Sequence, residues 1–346
     1  MKKDSFSSSQ KKKMEIWRVT NISTKRLGTQ SKNRITGELI YHPYIIPREN
    51  WHETIWEGIR KDLIDYLGSP EFNVRAHTGT HNLLSSWIVC ANLYFYIRNN
   101  ESLKQLMLSF LQEKVSDQIM EIVDVHLEFA FHKEDKLHPS ELLGELDGSR
   151  GSGQTSPDIA FLLKTKTGKG LVITENKFVE HSFYCCSARR TKSKGKHEGN
   201  PEPARCMKAA IGYDHKFNCH QTTWGRKYWS LLELSDLGKS TLLRCPAATA
   251  GYQLFRQQAL AEGIAQSERY TLVASTVAFD ERNTDLIGCL KTTGINDFNM
   301  SWGKLFNGKA IFRTWTHQEW IQFVRENNVN GEFNYWLDYL KERYDY

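Results

Sequence analysis

Asp158 directly follows a proline, and Glu175 and Lys177 stand two positions apart further along, with sixteen residues between Asp158 and Glu175. Residues i and i+2 of a strand share a face, so an extended segment points Glu175 and Lys177 the same way. Pro157-Asp158-Ile159-Ala160-Phe161-Leu162-Leu163-Lys164 and Leu171-Val172-Ile173-Thr174-Glu175-Asn176-Lys177-Phe178 both read as strands, and Thr167-Gly168-Lys169-Gly170 supplies a turn between them. Such a hairpin brings Asp158 beside the other two, placing two carboxylates and an ammonium in one small volume. Clustered carboxylates are costly unless a cation neutralises them. Magnesium, or manganese in its place, takes oxygen ligands and keeps waters suited to phosphodiester hydrolysis. Lys177 is then placed to orient the attacking water or to stabilise transition-state charge.

A second group of reactive side chains follows. Cys185, Cys186, Cys206, Cys219 and Cys245 fall in one irregular stretch. Cys186, Cys206, Cys219 and Cys245 form a set of four thiolates suited to tetrahedral zinc or to a [4Fe-4S] cluster. Their spacing is wide and contains no Cys-x-x-Cys pair, so separate buried thiols acting as small apolar residues are the other reading. Cys90 and Cys289 are expected in the core. The first residues are basic and serine-rich without the apolar segment of a secretory signal, so the protein is expected in the cytoplasm with its thiols reduced.

The chain has 346 residues, 40% hydrophobic, 25% charged and 12% aromatic, a globular balance that excludes collagen, coiled coil and wholesale disorder. No apolar run approaches the roughly 18 residues of a membrane span. Formal charge is +6, and it is unevenly placed. Between Ser187 and Trp229 ten Lys and Arg face only Glu198, Glu202 and Asp214, an excess of seven, so the remainder is close to neutral. This basic segment, with Trp224, Tyr228 and Trp229 in it and Tyr184 just ahead, suits a polyanion; a solvated lysine-rich loop is the plainer reading. Arg189, Arg190, Arg226 and Lys227 are its candidate phosphate contacts. The three ring residues either stack on unpaired bases or form the segment's own core.

Periodicity places the supporting elements. Apolar positions predict helices over Trp51 to Leu67, Ser85 to Ile97 and Leu103 to Ile119. A strand is predicted over Ile122 to Phe131, then the hairpin, a helix over Gly251 to Ala265 and a strand over Tyr270 to Ala278. Thr316-His317-Gln318-Glu319 is a capping box opening a late helix. The expected organisation is a basic mobile arm (1–32), a helical region (33–120), a core (121–280) interrupted by a basic cysteine-bearing insertion (184–248), and a helical extension (281–346).

Pro157-Asp158, the apolar Leu171-Val172-Ile173 and Glu175-Asn176-Lys177 resemble the PD-(D/E)XK motif of restriction-endonuclease-like nucleases, in an elaborated bacterial-type member with a cysteine-bearing insertion. The resemblance covers about Leu103 to Ala278. It implies an α/β core of helix, three strands, helix and strand, acting as a divalent-metal-dependent endodeoxyribonuclease. Asp158 and Glu175 would be its metal ligands and Lys177 its third catalytic group. Many members add a glutamine on the next core helix, where this chain has Gln253 with Arg256 and Gln257 on the same face, the arginine suited to phosphate. Many also add an upstream acid, for which Glu128 is preferred to Glu145. Some relatives carry an iron–sulfur staple, but with one cysteine ahead of the nuclease strands, whereas all the candidates here follow them. DNA is favoured over RNA as substrate. A non-catalytic nucleic-acid-binding protein on the same fold, or a cysteine-metal protein-interaction module, are the alternatives, and the oligomeric state stays open.

Overall fold

The computed structural model describes residues 5–192, 197–207 and 219–346. Helix α1 (Phe6–Asn21), a ribbon of β1 (Gly28–Lys32) and β2 (Leu39–His42), and helices α2 (Glu57–Gly68), α3 (Ser86–Tyr94) and α4 (Glu101–Lys114) come first. Strands β3 (Ile119–Leu127), β4 (Ile159–Thr165) and β5 (Gly168–Lys177) follow. Beyond the cysteine-bearing segment lie α5 (Tyr252–Gln266), β6 (Leu272–Phe279), β7 (Ile311–Thr316), α6 (His317–Asn327) and α7 (Asn334–Tyr344). Strands β3 to β7 make one sheet in chain order, antiparallel from β3 to β5 and parallel from β5 to β7. The fold is thus mixed α/β. Among the described residues no helix is long and apolar enough to cross a membrane.

Alternation along the strands divides the interior in two. Val172, Ala274 and Ala278 face a core shared with α1 to α4, α6 and α7, whereas Leu171, Ile173, Val273 and Val277 face a second core under α5 and the cysteine-bearing segment. Period two therefore assigns Glu175 and Lys177 to the side of α5, in line with Leu171 and Ile173.

Three expectations are corrected. The arm of residues 1–32 is not a mobile tail: residues 6–21 are helical, with Met14 and Trp17 buried and the Arg343 guanidinium 4.5 Å from the Trp17 ring. Two buried apolar residues in sixteen are too few to show a period, and the docking partner is supplied by α7, more than three hundred residues away. Met1 to Asp4 lie outside the described residues. The helix over Trp51 to Leu67 is broken, since a 3-10 segment (Arg48–Thr54) is separated from α2 by the extended Ile55. The C-terminal extension is not purely helical, because β7 joins the sheet beside β6. With Arg313 at its centre, β7 has little apolar signal of its own, and its pairing is set by the neighbouring strand.

The capping box is present: Thr316 Oγ1 accepts from Glu319 N (3.1 Å) and Glu319 Oε2 accepts from Thr316 N (2.6 Å). It starts α6 so that His317 is fully buried beneath the end of β5. His317 Nε2 donates to the Lys177 carbonyl (3.0 Å), and Nδ1 accepts from the Tyr94 hydroxyl (3.2 Å), which itself accepts from Trp315 Nε1 (3.1 Å). Burial holds the His317 pKa down, at about 4, against the nearby Asp280 carboxylate. Because the folded value lies below the unfolded one near 6.5, the contribution is present above about pH 6.5 and is lost as pH falls toward 4. It amounts to roughly 3 kcal/mol. Denaturant unfolding over this range should show stability falling with acid, and His317→Gln should flatten that fall. Parallel pH profiles for the two proteins would refute the assignment.

Candidate active site

The hairpin register seats the three residues. Ile159 pairs with Thr174, so Asp158, one residue before β4, lies beside the end of β5. Asp158 Oδ2 accepts from the backbone N–H of Asn176 (2.7 Å), and the Asn176 side chain donates to the Ser86 carbonyl at the start of α3 (2.8 Å). The residue between Glu175 and Lys177 thus ties the carboxylate to the strand and the strand to a helix. Lys177 Nζ donates to Glu175 Oε1 (2.7 Å), and both side chains are buried. Phe183 and Tyr184 place their rings 5.8 and 5.6 Å from the ammonium.

Glu128 completes the group by an irregularity. It follows β3 with φ +49°, a left-handed conformation that a residue with a Cβ adopts at a cost. Its N–H still donates to the Asp158 carbonyl (3.0 Å), while Arg150 Nε donates to its carbonyl (2.5 Å). This turn aims the carboxylate into a cavity of about 140 Å³ shared with Asp158, Glu175 and Gln253. Gly151, at φ +76°, forms part of the wall; a Cβ there would lie 2.7 Å from the Arg75 carbonyl oxygen and 3.5 Å from the Glu128 carboxyl carbon.

The electrostatics follow from this crowding. Burial, then the Asp158 and Glu175 carboxylates, raise the Glu128 carboxyl well above its ordinary range, and Arg150 only partly opposes them. Burial and the Glu175 charge push Asp158 up likewise, against the pull of Lys177. Burial alone would lower the Lys177 pKa, but Glu175, Glu180 and Asp158 overcome it and hold the ammonium above its usual value. Three carboxyls crowd one ammonium, so they cannot readily ionise together without a further cation.

Helix α5 presents its expected face, with three different outcomes. Gln253 faces the site with Oε1 buried and without a hydrogen-bond partner among the described residues. Arg256 lines the same cavity, its guanidinium 4.9 Å from the Tyr252 ring and 4.0 Å from Glu145. Gln257 braces the fold, donating to Ser275 Oγ (3.1 Å) and the Thr276 carbonyl (2.8 Å). Glu145 accepts from Thr155 N (2.5 Å), Thr155 Oγ1 (2.7 Å) and the Tyr228 hydroxyl (2.5 Å), which leaves Glu128 as the upstream acid at the site. Glu180 accepts from Phe178 N (2.8 Å) and lines the outer cleft.

That outer cleft, about 870 Å³, was not legible in the sequence. It runs from the β1–β2 ribbon past Lys11, Lys32, Arg48 and His77 to Asp158, Glu175 and Lys177. It meets the smaller cavity at His77, Asp158, Glu175 and Gln253. The N-terminal contributors had only charge to mark them, and the first of them lies in the segment expected to be a mobile arm.

The insertion divides. Arg226 is buried and donates to the Gly144 carbonyl and the Asp147 carboxylate; Arg189 donates to the Ala248 carbonyl (2.9 Å) and Lys227 to the Glu141 carbonyl (2.8 Å). Arg190 is exposed. Lys194, Lys196, Lys208 and Lys216 lie outside the described residues. Tyr228 and Trp229 belong to the second core, and Trp224 stacks on His197 at 4.7 Å. Cys186, Cys206, Cys219 and Cys245, spread over sixty residues, line one cavity of about 20 Å³. Cys90 lies in the first core and Cys289 packs against the second. Among the described residues no three His, Cys, Asp or Glu side chains form a ready metal-ligand set.

No curated protein and no solved structure matches the chain. A family model described as restriction endonuclease associating with ARP matches residues 11–345. The match takes in α1 and α7 as well as the central sheet, so the whole folded unit is the family's, and the chain belongs to this family of restriction endonucleases associating with ARP.

Proposed function

We propose that the chain is a divalent-metal-dependent deoxyribonuclease of the PD-(D/E)XK type, with Asp158, Glu175 and Lys177 as its reacting constellation and Glu128 and Gln253 beside them. The observation that carries this reading is the convergence of Glu128, Asp158, Glu175 and Lys177 where a large cleft meets a small polar cavity. Magnesium or manganese fits the donor set. Asp158 and Glu175 supply hard oxygen ligands among crowded carboxyls, and magnesium ordinarily takes one or two protein carboxylates, with waters and substrate oxygens completing its shell. When bound, the metal would supply charge neutralisation at the scissile phosphate and an acidified water.

The chain's own residues do the rest. The Asn176 N–H fixes the rotamer of Asp158, and the Glu175 contact keeps Lys177 charged and directed at the cleft, where it can stabilise charge on the phosphate. Gln253 Oε1 offers an acceptor to a water at the same point. The family supports a nuclease, and the crowding of buried Glu128 and Glu175 with half-buried Asp158 supports the metal. The direct test is incubation of purified protein with circular and with linear DNA, in magnesium or in chelator. Cleavage in magnesium alone is expected; cleavage unaffected by chelator would defeat the metal-dependent reading.

The phosphate backbone is placed along the cleft, because Lys11, Lys32 and Arg48 line it and are exposed, whereas Arg189, Arg226 and Lys227 hold internal acceptors. In an Asp158→Ala background, changing Lys11, Lys32 and Arg48 together to alanine should weaken binding to unrelated DNA sequences about equally. The slope of log affinity against log salt should flatten by up to about one unit per lost phosphate contact. Arg190→Ala with Lys227→Ala should leave it nearly unchanged. The opposite ranking would return the DNA path to the insertion.

A further inference from the structure

The four cysteines of the second core bear on a different property from cleavage. They come from four separate segments: Cys186 precedes the turn Ser187–Arg189, Cys206 lies within Pro203–Met207, Cys219 precedes His220–Thr223, and Cys245 precedes Pro246–Thr249. All seven cysteines of the chain are free thiols. Cys186, Cys206 and Cys245 are buried, and the Cys245 N–H donates to the Cys206 carbonyl (3.3 Å). Four sulfurs from four segments meet at one small cavity, which buried thiols scattered through a core as small apolar residues need not do.

Burial raises all four thiols above their ordinary range, and local donors oppose it. The backbone N–H groups of Ala188, Gln221 and Ala247, each two residues past a cysteine, are aimed at the sulfurs of Cys186, Cys219 and Cys245. Gln221 Nε2 donates to the Cys186 sulfur as well, at 2.9 Å. Donors of this kind favour thiolate over thiol and are typical of the shell around a metal-bound sulfur. Burial raises Cys206, and Arg205 and Arg189 lie close enough to oppose it. A cation at the centre is what would let the four ionise together.

We propose that Cys186, Cys206, Cys219 and Cys245 bind one zinc ion as a structural site, independent of the nuclease reading. The cavity is small, about 20 Å³, which suits a single ion better than a cluster of four irons and four sulfides. Zinc–sulfur bonds of about 2.3 Å require the thiols to draw inward from their present ring, with the thiol protons leaving to solvent. The zinc would close the insertion onto the second core, and its two positive charges with four thiolates leave a net negative centre that Arg189 and Arg205 balance.

The test is elemental analysis of the full chain purified without a polyhistidine tag. About one zinc per chain is expected, retained in the Asp158→Ala, Glu175→Ala double variant and in Cys289→Ser, and near zero in Cys219→Ser combined with Cys245→Ser. Should the cysteine double variant fail to fold, cobalt exchanged into the unaltered protein should give the intense visible bands of tetrahedral thiolate coordination. Metal-free protein, iron with acid-labile sulfide, disulfides between these cysteines, or zinc that disappears with the carboxylates would each overturn the proposal.

Discussion

Alanine in place of Asp158, Glu175 or Lys177 is expected to lower metal-dependent DNA cleavage by roughly 10³-fold or more in each case. The three do not act separately: Glu175 holds Lys177, and Asp158 is fixed by the backbone between them. Combining any two changes should therefore add little to the loss from one. Removing one partner of a buried ion pair also strains the fold, since it leaves an uncompensated charge. Asp158→Asn and Glu175→Gln keep shape and lose charge, and they separate the two effects. They should match the alanine variants in lost cleavage; Asp158→Asn, which leaves the Glu175–Lys177 pair intact, should unfold at close to the parent's temperature, and Glu175→Gln, which leaves the Lys177 charge uncompensated, should unfold lower. Normal cleavage by purified, folded Glu175→Gln would mean that the site has been misplaced.

The largest effect on stability is expected at Arg150. Its guanidinium donates to the carbonyls of Glu128 (2.5 Å), Phe72 (2.8 Å) and Leu127 (2.9 Å) and to the Tyr66 hydroxyl (2.7 Å). Arg150→Ala takes this donor from the Glu128 and Phe72 carbonyls in a largely enclosed setting, the Leu127 carbonyl keeping the Tyr66 hydroxyl (2.9 Å), and should cost about 2–4 kcal/mol. Lysine offers one ammonium where a planar fork reaches four acceptors, so Arg150→Lys should recover only part of the loss. The same clamp holds Glu128 in its left-handed conformation. Folded Arg150→Lys should then cleave more slowly than its stability alone explains. A change below about 0.5 kcal/mol by denaturant titration would show that water satisfies these acceptors.

Much of the site was legible because it depends on short-range rules. Period two put Glu175 and Lys177 on one face, and a tight turn at Lys166 and Thr167, just ahead of the glycines expected to make it, set the pairing that carries Asp158 to them. What escaped were features set by distant partners. Glu128 was singled out, but its route to the cavity was not: it lies past the end of β3 in a left-handed turn held by Arg150 and the Asp158 carbonyl, which the sequence around it does not mark. Helix α1 and strand β7 carry weak apolar patterns, and each is fixed by a neighbour far along the chain. The cleft is assembled from Lys11, the β1–β2 ribbon, Arg48 and the His77 loop, whose only common property in sequence is polarity. The four cysteines could be counted from sequence, but their meeting required the packing of the second core.

Helix α3 is buried from Trp87 through Tyr94, and its first residues back the cleft where Asn176 grips Ser86. Opposite it, most of the β1–β2 ribbon is exposed. The two walls of the cleft therefore differ in compliance. A helix enclosed on all sides moves only with the unfolding of the core, whereas an exposed two-stranded ribbon can shift while the core stays intact. On the proposed function, adjustment to the width of a bound duplex would fall to one wall alone, a yielding lip set against a fixed floor.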